Sequence, residues 1–251
     1  GISMGGHEAL CTIARYPDVF AAGLCVDGNA NLAARYREFP YVDMADTQPL
    51  MRREVGGTPR QVPWLYARRS STPFAWTLAT CDVPIAIWWS RDDKIGYNQA
   101  KTQTGYLYRR IKALRADAPV VQVIGRGVHG TMLASHPEAG IEFRRPNGVW
   151  RTLPEPPATW RYGSWLGSVE VWGHRFKTKP DLRKLWRVTV GPGSISVSCP
   201  AALQVQAPYD AGLPVPAVVT VNGRVRLLTP VDGRITISFP AGTSTATWSV
   251  D

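Results

Sequence analysis

The stretch that decides the fold is GISMGGHEALCTIARYPDVFAAGLCVDGN, Gly1 to Asn29. Apolar side chains recur at helical spacing from Gly5 to Tyr16, and Pro17 ends this predicted helix. The apolar run from Phe20 to Val26 then predicts a buried strand. A helix that leads directly into a buried strand is typical of a parallel sheet covered by helices.

The chain opens with the pattern Gly-x-Ser-x-Gly, formed by Gly1, Ser3 and Gly5. This pattern fits the sharp strand-to-helix turn that presents a nucleophilic serine hydroxyl. Because such a turn strains the backbone, we expect small neighbours on both sides of the serine to be a steric requirement. Ser3 is therefore a candidate nucleophile, with an ordinary turn serine as the alternative. The backbone N–H of Met4 would then be one donor to an oxyanion.

Two further buried strands follow, at Val83 to Trp89 and Val120 to Ile124, with a helix from about Asn98 to Arg115 between them. The segment GRGVHGTMLASH runs from the last strand into a final predicted helix. The long stretch from Asn29 to Asp82 has no clean period and is rich in aromatic residues, Pro and Gly. It is predicted to be either a lid or wall of a substrate cleft, or a set of short surface helices.

Acidic and histidine side chains follow these two strands. Asp92 and Asp93 come after the first of them, and His129 comes after the second. Open parallel sheets place their sites at the carboxyl ends of strands, so one of these acids and His129 are expected to converge beside Ser3. Asp27, at the end of the strand after the serine turn, is a weaker rival for the acid.

Three other histidines compete with His129. His7 lies on the first predicted helix, where its direction from the serine does not suit a base. His136 is predicted on the surface of the last helix, and His174 belongs to a second domain. His129, flanked by glycines at a strand end, is the favoured base.

The region from Gly1 to about Arg145 resembles the C-terminal half of an α/β-hydrolase domain, most closely the prolyl-oligopeptidase-type group of peptidases and esterases. The resemblance is carried by GISMGG, EVGGTP, YARRSS, WWSRDDKIG and GRGVHG. It implies Ser3 as nucleophile, Asp93 as acid and His129 as base. The family pattern of an acid, any residue, then Ile or Val favours Asp93 over Asp92. No metal or organic cofactor is implied.

The same resemblance implies that the upstream half of the sheet, with the second oxyanion donor, lies outside this chain. We therefore expect a truncated part of a longer, active serine hydrolase. Its substrate would be a carboxylic ester or a peptide bond, cleaved through an acyl-enzyme. A β-rich appendage favours an extracellular esterase that acts on a polymer, by analogy of architecture alone.

The rest of the chain differs in composition and in predicted secondary structure. Residues 146–158 are rich in Pro and turn formers and are predicted to be a linker. Residues 159–251 contain short β-like runs, with hairpin signals at Asn222-Gly223 and Asp232-Gly233, and predict an antiparallel β-sandwich. Five tryptophans could form a sugar-stacking platform or, as we favour, core: Trp160, Trp165, Trp172, Trp186 and Trp248. The alternative function is accordingly an inert hydrolase remnant that carries a carbohydrate- or surface-binding module.

Composition limits the remaining classes. The net charge of +10 comes from scattered, mostly Arg residues rather than from a basic stripe, which argues against nucleic-acid binding. No run of about 18 apolar residues exists, so no membrane span is expected. The four cysteines form no CxxC pair and no metal-like group with histidine. Oligomeric state is not encoded in any of these features.

Overall fold

The computed structural model describes residues 1–131, 147, 149, 151–181, 183–209 and 216–249. The last predicted helix after residue 131, the candidate His136 and parts of the predicted linker lie outside these residues. The chain divides into two compact units, Gly1–Glu155 and Pro156–Asp251. None of the helices within the described ranges combines the length and apolar character needed to cross a membrane.

The first unit contains a parallel sheet of three strands in the order β1 (Gly23–Val26), β2 (Ile85–Ser90) and β3 (Val120–Gly125). Ile2 forms an isolated parallel bridge with Val26, so the start of the chain runs alongside β1. All residues of β1 and β2 are buried, as the apolar runs predicted. The predicted burial of β3 is wrong beyond Val120: this strand pairs only with β2 among the described strands, and Val121 and Ile124 are exposed. The predicted parallel sheet with helices is confirmed.

Seven helices accompany this sheet in the described part of the first unit. They are α1 (Met4–Arg15), α2 (Leu32–Glu38), α3 (Thr47–Val55), α4 (Pro63–Arg68), α5 (Ala75–Thr80), α6 (Gln99–Thr102) and α7 (Thr104–Leu114). Short 3₁₀ turns lie at Pro17–Val19, Phe39–Val42 and Thr72–Phe74. Helix α1 packs on β1 and buries Leu10, Cys11, Ile13 and Ala14. Its amphipathic pattern therefore explains both its helical form and its position.

The single helix predicted from Asn98 to Arg115 is interrupted at Gln103. The Gln103 side chain is fully buried, and its Oε1 accepts hydrogen bonds from the backbone N–H groups of Ala30 and Asn31, both at 3.0 Å. The backbone at Gln103 leaves the helical region, with φ −110° and ψ −137°. A polar contact 72 residues away in the chain thus overrides the local helical pattern.

The segment between β1 and β2 folds into α2 to α5, and the part with α2 to α4 returns to the residue at which it leaves. The carbonyl oxygen of Ala30 accepts hydrogen bonds from the N–H groups of Ser71 and Thr72 at 3.1 Å and from Thr72 Oγ1 at 2.7 Å. The two ends of the part with α2 to α4 are thereby held at Ala30, and α5 follows this contact.

The second unit is β-rich, as predicted. Its strands are β4 (Trp160–Ser164), β5 (Ser168–Val171), β6 (His174–Thr178), β7 (Trp186–Gly191), β8 (Ser194–Cys199), β9 (Leu203–Pro208), β10 (Ala217–Val221), β11 (Arg224–Leu228), β12 (Arg234–Phe239) and β13 (Gly242–Trp248). They form two antiparallel sheets, in the orders β11-β10-β13-β8-β7-β4 and β12-β9-β6-β5. Both sheets contribute to one hydrophobic core, which holds Trp186 and Val197 from the first and Phe176 and Ile237 from the second.

Two-residue turns set the register of this unit. Asn222 and Gly223, with φ 48° and 77°, join β10 to β11 as the sequence predicts. A second turn at Asp232-Gly233, with φ 50° and 67°, leads into β12. A third joins β5 to β6 at Trp172-Gly173, where φ is 43° and 74°. This turn could not be predicted from the sequence, because Trp seldom adopts positive φ.

The five tryptophans lie inward or against the core. Trp160, Trp165 and Trp186 are buried, and Trp172 and Trp248 are half-buried and pack against the core cluster. Trp160 meets Trp172 edge to face, with ring centroids 4.9 Å apart. None of the five is exposed as a flat stacking platform.

Three buried cysteines make the first unit sensitive to alkali. Burial raises the pKa of the Cys11, Cys25 and Cys81 thiols to about 12, whereas the unfolded thiol ionises near 9. Above pH 9 the unfolded state therefore loses protons that the folded state keeps, and stability falls as pH rises. The expected loss is roughly 1.4 kcal/mol per thiol for each pH unit above 9.

Urea unfolding at pH 7 and pH 10, followed by helical circular dichroism, measures this loss. Cys81→Ala should remove about a third of the difference between the two pH values, because it removes one of three thiols. Equal stability of the parent protein at both pH values would contradict the expectation.

Candidate active site

Four chemistry-bearing residues lie at the carboxyl edge of the sheet. Ser3 follows the bridge beside β1, Asp27 follows β1, Asp93 follows β2 and His129 follows β3. Since the strands are parallel, all these segments end at the same edge.

Ser3 has a strained backbone at the start of α1, with φ 55° and ψ −119°. A helix N-cap serine normally has extended backbone angles and accepts a hydrogen bond from the first turn. Ser3 makes no side-chain cap hydrogen bond, and its own N–H donates to Val26 O at 2.8 Å. The ordinary capping role thus does not account for this serine, whose backbone strain is of a kind that clusters at functional sites.

Asp93 and His129 are hydrogen-bonded, with 2.7 Å between Asp93 Oδ2 and His129 Nδ1. The other carboxylate oxygen, Oδ1, accepts from the N–H groups of Ile95 at 2.8 Å and Gly96 at 2.7 Å. The Asp93 side chain is fully buried, whereas that of His129 is 19% exposed. An ionised carboxylate only accepts, so it assigns the proton to Nδ1 and leaves Nε2 as the basic nitrogen.

The neighbouring residues explain why Asp93 rather than Asp92 occupies this place. Asp92 is exposed, whereas Asp93 turns inward to the two N–H groups of its own loop. A Cβ added at Gly96 would lie 2.3 Å from Asp93 Oδ2. A glycine at this position is therefore a condition for the Asp93–His129 contact, and sequence reasoning missed it.

The His129 loop and the serine turn are neighbours. Gly130, with φ +78°, lies so close to Ile2 that an added Cβ would be 3.3 Å from Ile2 Cγ2. The residue after the histidine thus lies against the residue before the serine. No hydrogen bond joins Ser3 to His129 within the described part of the chain, and such bonds are often long before substrate binds.

The competing histidines have other partners. His7 is buried, with its Nδ1 3.0 Å from Asn29 O and its Nε2 3.8 Å from Cys11 Sγ. His174 lies in the second unit, where burial lowers its pKa and its Nδ1 is 3.1 Å from Trp172 O. Neither lies in a loop at the carboxyl edge of the parallel sheet.

The turn around Ser3 differs in one respect from the steric expectation. A Cβ on Gly1 would lie 2.3 Å from the carbonyl carbon and oxygen of Gly5, so Gly1 must be small. A Cβ on Gly5 would meet no described atom within 4 Å outside the backbone of its own helix, so no contact among the described residues requires a glycine there. Met4 is the first residue of α1, and its N–H therefore has no acceptor within the helix.

Asp27, Asp93 and His129 also offer ligand atoms within 4.8 Å of one another. However, all four carboxylate oxygens already accept hydrogen bonds. Those of Asp27 accept from Ser90 N–H and Gly130 N–H. Those of Asp93 accept from His129 and from the N–H groups of the two loop residues described above. A cation would have to displace these donors. The arrangement therefore fits hydrogen-bonded acid–imidazole chemistry better than metal binding.

No family model and no curated protein sequence matches this chain. Among solved structures, an acylaminoacyl peptidase from Pyrococcus horikoshii is 22% identical, with a TM-score of 0.42, over 55% of this chain and 20% of that chain. A GH30 endoxylanase from Clostridium papyrosolvens is 10% identical, with a TM-score of 0.22, over 72% of this chain and 53% of that chain. The match thus spans a fifth of the peptidase. At these TM-scores neither similarity establishes a shared fold or activity.

Proposed function

We propose that the first unit carries the catalytic machinery of a serine hydrolase that cleaves a carboxylic ester or a peptide bond. Ser3 is the nucleophile, His129 the general base and Asp93 the acid that orients the base. The observation that carries the proposal is the 2.7 Å contact between Asp93 and His129, at the sheet edge where Ser3 adopts its strained turn.

The roles follow from the chemistry of the three groups. Nε2 of His129 accepts the proton of the Ser3 hydroxyl as Ser3 Oγ attacks the carbonyl carbon, because a serine hydroxyl alone is a poor nucleophile. Asp93 holds the imidazole in the required tautomer and stabilises the imidazolium. The N–H of Met4 donates to the oxyanion of the tetrahedral intermediate. His129 then returns the proton to the leaving group, and water hydrolyses the acyl-serine by the reverse roles.

The finer architecture belongs to the same proposal. We assign residues 1–145 to the C-terminal half of an α/β-hydrolase domain and residues 159–251 to an accessory β-sandwich. The tryptophans of the second unit lie inward or against its core, which supports a stabilising role over a carbohydrate-binding platform. The substrate class within this proposal is an ester on a polymer, argued from architecture alone.

A fluorophosphonate probe tests the nucleophile, because it reacts with activated serines. The full-length protein should be labelled, and Ser3→Ala should abolish labelling. Ser198→Ala provides a matched control, since this exposed serine of β8 lies in the second unit and should leave labelling unchanged. Labelling that persists in Ser3→Ala would overturn the proposal.

Substrate choice needs a separate comparison. The kcat/KM for an acetyl or feruloyl ester should exceed that for a proline-containing anilide, and the reverse order would exclude the esterase version. Glycan binding without probe labelling would favour the binding-module alternative instead.

A further inference from the structure

A second buried carboxylate lies at the candidate site without a role in the proton relay. Asp27 is 1% exposed and follows β1 directly, with a left-handed backbone at φ 48°. Its Oδ1 accepts a hydrogen bond from Ser90 N at 3.0 Å, and its Oδ2 accepts one from Gly130 N at 2.9 Å. The two donors come from the end of β2 and from the loop after β3.

These bonds reach the segment that carries the base. Gly130 directly follows His129, and the Ser90 hydroxyl donates to the carbonyl oxygen of Gly127 in the same loop. The His129 loop is therefore held at Gly127 and at Gly130, which lie before and after His129 in the chain. Asp27 supplies the Gly130 contact directly and orients Ser90 through its backbone N–H.

The charge of Asp27 is electrostatically costly at this position. Burial raises the pKa of the Asp27 carboxyl, and the nearby Asp93 adds to this rise. The N–H groups of Gly130 and Ser90, together with His129, act in the opposite direction. A carboxylate can be buried beside another acid only where hydrogen bonds replace its lost hydration. The two N–H groups supply these hydrogen bonds to Asp27.

We propose that Asp27 is a positioning residue, which fixes the His129 loop through Gly130 N–H so that the imidazole faces Ser3. The inference rests on the proposed hydrolase function and deepens it. Asp27 does not act on the reacting atoms, since Nδ1 of His129 already binds Asp93. Its effect passes through Gly130, whose backbone lies against Ile2 and thereby sets the spacing between the base and the serine.

The variant Asp27→Asn tests this role with little change in volume. An amide nitrogen cannot accept a hydrogen bond, so either Ser90 N–H or Gly130 N–H would face another donor. We expect kcat to fall roughly tenfold to a hundredfold with KM little changed, because small misplacements of a catalytic group have effects of this size. Asp92→Asn makes the same chemical change at an exposed residue next to Asp93 and should leave kcat unchanged.

A spectroscopic measurement separates positioning from a purely structural role. The proton shared by Asp93 and His129 should give a strongly deshielded resonance in one-dimensional proton NMR. Asp27→Asn should shift or broaden this resonance while the protein stays folded. If Asp27→Asn does not fold, Asp27→Ser, whose short side chain leaves room for a water between the two N–H groups, should fold and show the same losses.

Two results would overturn the inference. The first is an unchanged kcat and resonance in whichever of the two variants folds. The second is a loss in Asp27→Asn as large as that in Asp93→Asn, because a contact that only positions the loop should cost less than the acid that binds Nδ1 of His129. Failure of the hydrolase proposal is distinguishable, because the parent protein would then take up no probe, or Ser3→Ala would keep its labelling, whatever Asp27→Asn does.

Discussion

Replacement of Asp93 by asparagine is expected to lower kcat about 10⁴-fold, the size of effect seen when a triad acid loses its charge. The reason lies in the two N–H groups of Ile95 and Gly96, which both donate to Asp93 Oδ1. In the variant the amide oxygen takes this place, so the amide NH₂ faces Nδ1 of His129. The imidazole must then carry its proton on Nε2, where it cannot accept one from Ser3.

Steady-state hydrolysis of an activated ester by the full-length protein measures this loss. Asp92→Asn is the matched control, because it makes the same chemical change at the adjacent, exposed residue and should retain full activity. Circular dichroism should be alike for both variants, since the Oδ1 contacts of Asp93 persist in the amide. A large loss in Asp92→Asn, with activity retained in Asp93→Asn, would show that Asp92 rather than Asp93 is the acid.

The second large effect is expected at Gly1. In Gly1→Ala the new methyl group would lie 2.3 Å from the backbone of Gly5, so the first turn of α1 must move by about 1 Å. Ser3 lies between these two residues and moves with them. We expect a loss in kcat of about 10²-fold or more, together with roughly 1–3 kcal/mol of stability from overpacking.

Gly5→Ala is the control for this prediction, with stability as the readout. Its methyl group meets no described atom, and alanine favours a helix over glycine by about 1 kcal/mol, so the midpoint of urea unfolding should stay or rise. The comparison fails if Gly1→Ala is as stable and active as the parent protein.

The order of strands and helices could be predicted from the sequence because β1 and β2 are buried along their whole length, whereas β3, which exposes Val121 and Ile124, was predictable from its run of β-branched residues alone. Residues such as Cys25 and Ile87 are inaccessible, so their runs are apolar without interruption. Element ends were predictable only to within a few residues. The break at Gln103 was not predictable, since it depends on the backbone of Ala30 and Asn31, far away in the chain.

Some residues of the candidate site could likewise be predicted from the sequence, and others could not. Ser3 and His129 belong to glycine-flanked patterns, and both can be proposed from the sequence alone. The choice between Asp92 and Asp93 could not be made from local pattern, because it depends on which side chain reaches the loop N–H groups. Family resemblance, rather than spacing, supported Asp93. Asp27 was considered only as a rival acid, since its contact with Gly130 joins residues 103 positions apart.

Four donors, the N–H and hydroxyl groups of Ser71 and Thr72, converge on the Ala30 carbonyl, so the segment from Asn31 to Ser70 with α2 to α4 begins and ends at the same place. We therefore expect insertions or deletions between α2 and α4 to leave the pairing of β1 with β2 unchanged, because the Ala30 contact closes this segment before α5 and β2 begin. Length changes in this segment would then leave Asp27, Asp93 and His129 at the carboxyl edge of the sheet, since none of the three belongs to it.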